Sequence, residues 1–249
     1  MPASHQGDPR REVGKKVISS LPVRRRRALA FQSFVLIASA AFVALALAAH
    51  ASPYFAIDLT ITRAVQSYHG HVFDRLMVGM SWLGFSPQAT VLGVIVVLAL
   101  YAAGLRWEAM AQLFASFGVA FGGLVKLIVY RPRPSADLVN VFAQMSSYAF
   151  PSGHVLMATT VFGFLAFLAF TLLKPSPART ILIVTCVVLI LLMGLSRIYL
   201  GAHWFSDVMG AYMLGSLWLA ISIKFYRWGK PRFFVRQPVA PVPAAERAA

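Results

Sequence analysis

The chain has 249 residues, of which 59% are hydrophobic and only 12% charged, and its mean hydropathy is +0.70. Those values fall outside the range of a water-soluble domain and describe an integral-membrane protein. The formal charge of +15 points to nucleic acid only until its distribution is read: residues 1–27 hold eight Lys/Arg against two acids, residues 224–249 hold six against one, and +4 remains for everything between. Basic ends beside apolar spans satisfy the positive-inside rule and suit anionic lipid headgroups, whereas neither end carries the interleaved aromatics or reading module of a nucleic-acid binder. The single Cys186, inside an apolar run, excludes an intramolecular disulfide and a thiolate cluster.

The hydropathy pattern predicts an all-α fold: a polytopic membrane bundle of six transmembrane helices plus short interfacial helices. Residues 1–27 form a basic cytoplasmic tail, expected to be disordered, that ends in four consecutive arginines, Arg24 to Arg27. The apolar run 28–49 is too long for the hydrophobic region of a signal peptide and is not followed by a small-residue cleavage site, so it is read as a retained first span. Ser52-Pro53 then breaks the helix, and Asp58, Thr60, Thr62 and Arg63 interrupt the apolar residues that follow. Short helices at the outer interface are expected there and again over 73–83, up to the break at 84–87. The remaining spans are 89–105, 109–129, 155–173, 180–195 and 205–223. Residues 28–223 thus form one membrane domain, and 224–249 a second basic cytoplasmic tail rich in Pro and Ala.

Six spans place both tails on one side, together with Arg106, Lys174 and Arg179, and leave Arg63, Arg75, Lys126, Arg131, Arg133 and Arg197 on the other. The outer ends of spans three to six, with both polar connections between them, must then meet on the extracytoplasmic face of a cell (inner) membrane.

Three polar clusters occupy those ends. Lys126 sits in the last turn of the third span, a costly place for a cation unless it faces a cavity, and Arg133-Pro134 follows seven residues later. Pro151-Ser152-Gly153-His154 opens the fourth span: Ser152 is a preferred N-cap, Gly153 permits close approach of a ligand, and the helix N-terminus faces an anion with free N–H groups. The third cluster is Ser196-Arg197, then His203 and, four residues on, Asp207, a spacing at which the carboxylate can orient the imidazole. Lys126, Arg133 and Arg197 surround one position with fixed positive charge suited to phosphate. Two histidines flank it, one backed by a carboxylate. An in-line displacement at phosphorus asks for these roles: a nucleophile, a proton donor for the leaving group, and neutralised equatorial charge.

The order Lys126-x6-Arg133-Pro134, Pro151-Ser152-Gly153-His154 and Ser196-Arg197-x5-His203-x3-Asp207 resembles the three-part signature of the type 2 phosphatidic acid phosphatase superfamily. The likeness covers all motif positions and the span pattern from about residue 55 to 223. Two departures, Phe205 where many relatives have proline and Val155 where a small residue is common, spare the catalytic positions but weaken any transfer of substrate specificity. The resemblance implies a helical bundle with its site at the outer face, a phosphohistidine intermediate, and no metal or other cofactor. It implies that His203 is the nucleophile, Asp207 its orienting partner and His154 the acid. Lys126, Arg133, Ser152, Gly153 and Arg197 are implied phosphate ligands.

The expected function is an integral-membrane lipid phosphatase acting on the terminal phosphate of a lipid phosphate or diphosphate, with phosphatidic acid, phosphatidylglycerophosphate and undecaprenyl diphosphate as alternatives. A lipid phosphotransferase would use the same site. A soluble haloperoxidase shares the anion cradle, but six spans argue against it. An anionic-lipid transporter or flippase would have no use for a carboxylate-backed nucleophile, and no inverted repeat is visible in the sequence.

Overall fold

A computed structural model describes residues 9–142 and 145–233, which are helical or in turns, with no strand among them. The helices in order are α1 (Pro9–Ala51), α2 (Ala56–Gln66), α3 (His71–Leu83), α4 (Ser86–Ala102), α5 (Arg106–Ser116), α6 (Gly118–Val129), α7 (Gly153–Leu172), α8 (Pro177–Tyr199) and α9 (Phe205–Phe233). Five stretches are long and apolar enough to cross a bilayer: Ala28–Ala51, Arg106–Val129, Gly153–Leu172, Pro177–Tyr199 and Phe205–Phe233. The pair α3–α4, bent by 68°, supplies a sixth when taken as one broken span. The expected all-α, multi-pass membrane bundle is therefore the fold.

Several boundaries differ from the sequence reading. The second span, expected over 89–105, is α4 at Ser86–Ala102, and it reaches membrane length only with α3. The third begins at Arg106 and is interrupted at Phe117 between α5 and α6. Residues 9–27, expected to be disordered, are helical and run into the first span, and α9 continues past 223 to Phe233. Each extension continues a helix already nucleated in the span, which adds residues more cheaply than starting a new helix does. The remainder of the two tails, 1–8 and 234–249, lies outside the described residues. The short helices α2 and α3 do not merely line an interface. Both pack against α8, with Asp58, Thr62, Met77, Met80 and Ser81 buried.

At the centre stands α7, packed on α5, α6, α8 and α9, with Val155, Leu156, Ala158 and Phe164 fully buried. In lipid the hydrophobic effect does not distinguish one apolar face from another, so close packing decides which helices meet. Glycines allow it: an added Cβ at Gly122 of α6 would lie 2.2 Å from Leu156 Cδ2, and one at Gly215 of α9 would lie 2.8 Å from Thr159 Cβ. This packing brings the ends of α6 and α8 together with the starts of α7 and α9. The Ser152 N–H donates to Asp207 O at 3.2 Å, and Lys126 Nζ donates to Tyr148 O at 2.6 Å.

Candidate active site

The structure gathers all eight residues singled out from the sequence at that one end. A cavity of about 550 Å³ is lined there by Lys126, Arg133, Gly153, His154 and His203. Arg197, Ser152 and Asp207 stand immediately behind. Arg197 Nη2 reaches Met145 Sδ at 3.3 Å, and Met145 is itself a wall of the cavity. Among the described residues, the buried side-chain atoms left without a hydrogen-bond partner include Ser152 Oγ, His154 Nε2, Arg197 Nε and His203 Nδ1. So many unsatisfied groups in one place mark a site prepared for a polar ligand, since elsewhere each is a cost without a return.

His203 is set by the turn between α8 and α9. Gly201 has φ +62°, a left-handed conformation, and its Cα presses against Asn140: an added Cβ would meet Asn140 O at 2.1 Å. The Arg197 carbonyl then accepts from the N–H groups of both Ala202 (3.1 Å) and His203 (3.2 Å). Arg133 Nη1 lies 3.0 Å from His203 Nε2 and donates to Ala202 O at 2.6 Å, while its Nε donates to Ser147 O at 2.6 Å. A guanidinium can only donate, so the Nε2 lone pair accepts from Arg133 at the cavity lining and the neutral ring carries its proton on Nδ1. Burial first, then the charges of Arg133, Lys126 and Arg197 and the nearby His154, hold the His203 imidazole well below its ordinary value and keep it neutral.

Asp207 departs from the sequence expectation in detail. His203 and Asp207 do face each other, but Nδ1 and Oδ2 are 3.6 Å apart, beyond hydrogen-bond reach. The carboxylate is instead held by Arg131 Nη1 at 2.6 Å on Oδ1 and by the Trp204 N–H at 2.9 Å on Oδ2, which caps the start of α9. Ser152 likewise occupies the N-cap of α7, yet its hydroxyl makes no capping bond.

The comparisons with known proteins identify the family and the fold. The family model of the PAP2 superfamily matches residues 107–231, which include every site residue. The chain belongs to the PAP2 superfamily. It is 31% identical over 180 residues to phosphatidylglycerophosphatase B of Bacillus subtilis (strain 168), covering 71% of this chain and 86% of that one. It is 26% identical over 179 residues to an undecaprenyl-diphosphatase of Sulfolobus acidocaldarius, covering 60% and 82%. Its fold is similar to the crystal structure of the transmembrane PAP2-type phosphatidylglycerolphosphate phosphatase from Bacillus subtilis, with TM-score 0.70, 27% identity, and 80% and 98% of the two chains covered.

Behind these eight residues lies a buried network that the sequence alone did not disclose. Arg131, 1% exposed, bridges two acids: besides Asp207 it donates to Asp58 Oδ2 at 2.9 Å and to Ser206 Oγ at 2.7 Å. Ser206 in turn donates through its N–H and its hydroxyl to Asp58, at 2.8 and 2.9 Å. Asp58 also closes the start of α2 by accepting from the Phe55 N–H. On the other side, Arg197 Nη1 bonds Ser81 Oγ of α3. The available signal was the lone acid Asp58 in an apolar stretch and the cation two residues before Arg133. Neither says which distant residue it meets.

Proposed function

We propose that this PAP2 protein is a lipid phosphatase that removes the terminal phosphate of a lipid phosphate or diphosphate at the extracytoplasmic face. The observation that carries the proposal is the two-part lining of one cavity. Lys126, Arg133, His154 and His203 close one end, and Ala89, Gly93, Val94 and Val97 of α4 with Val119, Met157 and Val161 form apolar walls along membrane-length helices. A ligand with a phosphate head and a hydrocarbon tail matches both parts. The names of the relatives point to phosphatidylglycerophosphate and undecaprenyl diphosphate as members of the substrate class.

In the proposed reaction the His203 Nε2 lone pair attacks phosphorus, and the P–O bond to the leaving group breaks. The leaving oxygen takes its electron pair and a proton from His154. Water then attacks the phosphohistidine, giving its proton to His154. The P–N bond breaks with its electrons returning to Nε2, and phosphate departs. Asp207, 3.6 Å from Nδ1, stabilises the charge that develops on the imidazole. Lys126, Arg133 and Arg197, with Ser152 Oγ and the Gly153 N–H, hold the phosphoryl oxygens, and the three cations supply the charge neutralisation that a divalent metal provides in other phosphatases. Residues 28–223 form the phosphatase domain. The cations Arg106, Arg179, Arg227, Lys230 and Arg232 fall at helix ends away from the site, which supports a cytoplasmic side for that end of the bundle.

The test is phosphate release by the purified protein in detergent, with excess EDTA, from phosphatidic acid, phosphatidylglycerophosphate and undecaprenyl diphosphate, together with acid quenching to capture a phosphohistidine. Release from at least one lipid and an acid-labile adduct at His203 are expected. No release, or robust turnover by His203→Ala, overturns the reading.

A further inference from the structure

The α3–α4 bend, absent from the three motifs, touches the proposed acid directly. Gly84 ends α3 with φ −90° and ψ −1°, a backbone that any residue adopts, so conformation does not explain a glycine there. Space does: an added Cβ would stand 2.3 Å from His154 Cδ2, 2.9 Å from its Cγ and 3.1 Å from Met193 Sδ. Phe85, the next residue, sets its ring edge-to-face on the imidazole, with centroids 5.1 Å apart and planes at 80°. His154 Nε2 is buried without a hydrogen-bond partner, and the ring lines the cavity.

We propose that Gly84 and Phe85 are positioning residues for proton donation: they fix the plane of the His154 ring so that Nε2 meets the leaving oxygen. The inference rests on the acid role given to His154 above. The bend is also where α3, tied to Arg197 through Ser81, passes into α4, whose residues wall the tail cavity. One backbone element thus places the acid relative to both the phosphate ligands and the tail. A methyl group at position 84 would turn or push the ring while leaving His203, Arg133 and Lys126 in place.

The experiment compares two substrates with the same tail and terminal phosphoryl group, dodecyl phosphate and dodecyl diphosphate, on the purified full chain. The first expels an alkoxide, a strong base that must be protonated as it leaves. The second expels a phosphate monoester, a weak base that leaves largely unaided. Gly84→Ala is expected to cut kcat/KM, which reports only the steps through departure of the leaving group and not the later water step common to both substrates, about 100-fold on the monophosphate, the low end for loss of general-acid catalysis, with less than about threefold change on the diphosphate. Phe85→Ala is expected to show the same selectivity at smaller size, and it decides the matter if Gly84→Ala does not fold. Equal loss on both substrates, or no loss on either, overturns the positioning role when His154→Ala itself is selective for the monophosphate. If His154→Ala slows both substrates alike, the acid assignment fails, and this inference fails with it.

Discussion

The bundle holds two buried polar clusters, one at each end, and they are built differently. Away from the site, Glu108 of α5 accepts from Tyr226 Oη at 2.9 Å and from Lys230 Nζ, and Trp107 Nε1 donates to Tyr226 O at 3.0 Å. That cluster closes on itself and ties the start of α5 to the end of α9. At the site end, the Asp58–Arg131–Asp207–Ser206 network is nearly closed, with Arg131 Nε left over, but the layer in front of it is open: His154 Nε2, Ser152 Oγ, Arg197 Nε and His203 Nδ1 have no hydrogen-bond partner among the described residues. A largely saturated network supports an unsaturated one. The first kind stabilises helix packing. The second forgoes hydrogen bonds so that an incoming phosphate can supply them.

The largest expected effect tests the supporting layer. Arg131→Met leaves Asp58 and Asp207 buried with no counter-charge, which costs about 3–5 kcal/mol in comparable buried pairs. A steep fall in the detergent melting temperature and loss of phosphate release should both follow. A variant that melts like the parent would show that the two acids do not depend on this bridge. At the other end, Glu108→Gln keeps the size of the side chain and removes one charge from its bonds with Lys230 and Tyr226. It should cost about 1.5–3 kcal/mol of stability, the range for hydrogen bonds to charged groups, with kcat unchanged. Thermal melting beside phosphate release reads both quantities. A fall in kcat at parental stability would mean that the two ends are coupled and the contrast between them is false.

What the sequence disclosed follows the same division. Span positions were legible because hydropathy is local, and so were Lys126, Arg133, Gly153, His154 and His203, whose spacing within short motifs is fixed by one turn or one helix end. Arg131 was read only as an outer charge and Asp58 only as an interruption. Their bond joins residues 73 positions apart, and nothing in either neighbourhood encodes the other. Ser81 was hidden in a stretch read as interfacial, because a serine 116 residues from the arginine it binds carries no periodic signal, and Gly84 was read only as part of the break that ends that stretch. The His203–Asp207 spacing was visible, but the 3.6 Å gap was not, since it arises from Arg131 and the Trp204 N–H occupying the carboxylate first.

The finest test of the contrast is the proton on His203. The imidazole is 1% exposed and its proton affinity is held well below the ordinary 6.5 by burial and by the cations facing it from α6, α8 and the 130–152 loop. In the unfolded chain the same ring takes a proton as pH falls through about 6.5; in the folded protein it does so only further down. Between those two points the unfolded state binds the extra proton, so this group lowers stability as pH falls through the window and has no effect above it. Lowering the pH through the ordinary 6.5 should leave the folded ring neutral, and any loss of turnover there should come from other groups or from unfolding. Nitrogen NMR of 15N-histidine-labelled protein reads the ring directly, with His203→Gln assigning the signal. Resonances that move to the imidazolium position near pH 6.5 would show the ring in ordinary contact with water, and the front layer of the site would then be open in a way its burial contradicts.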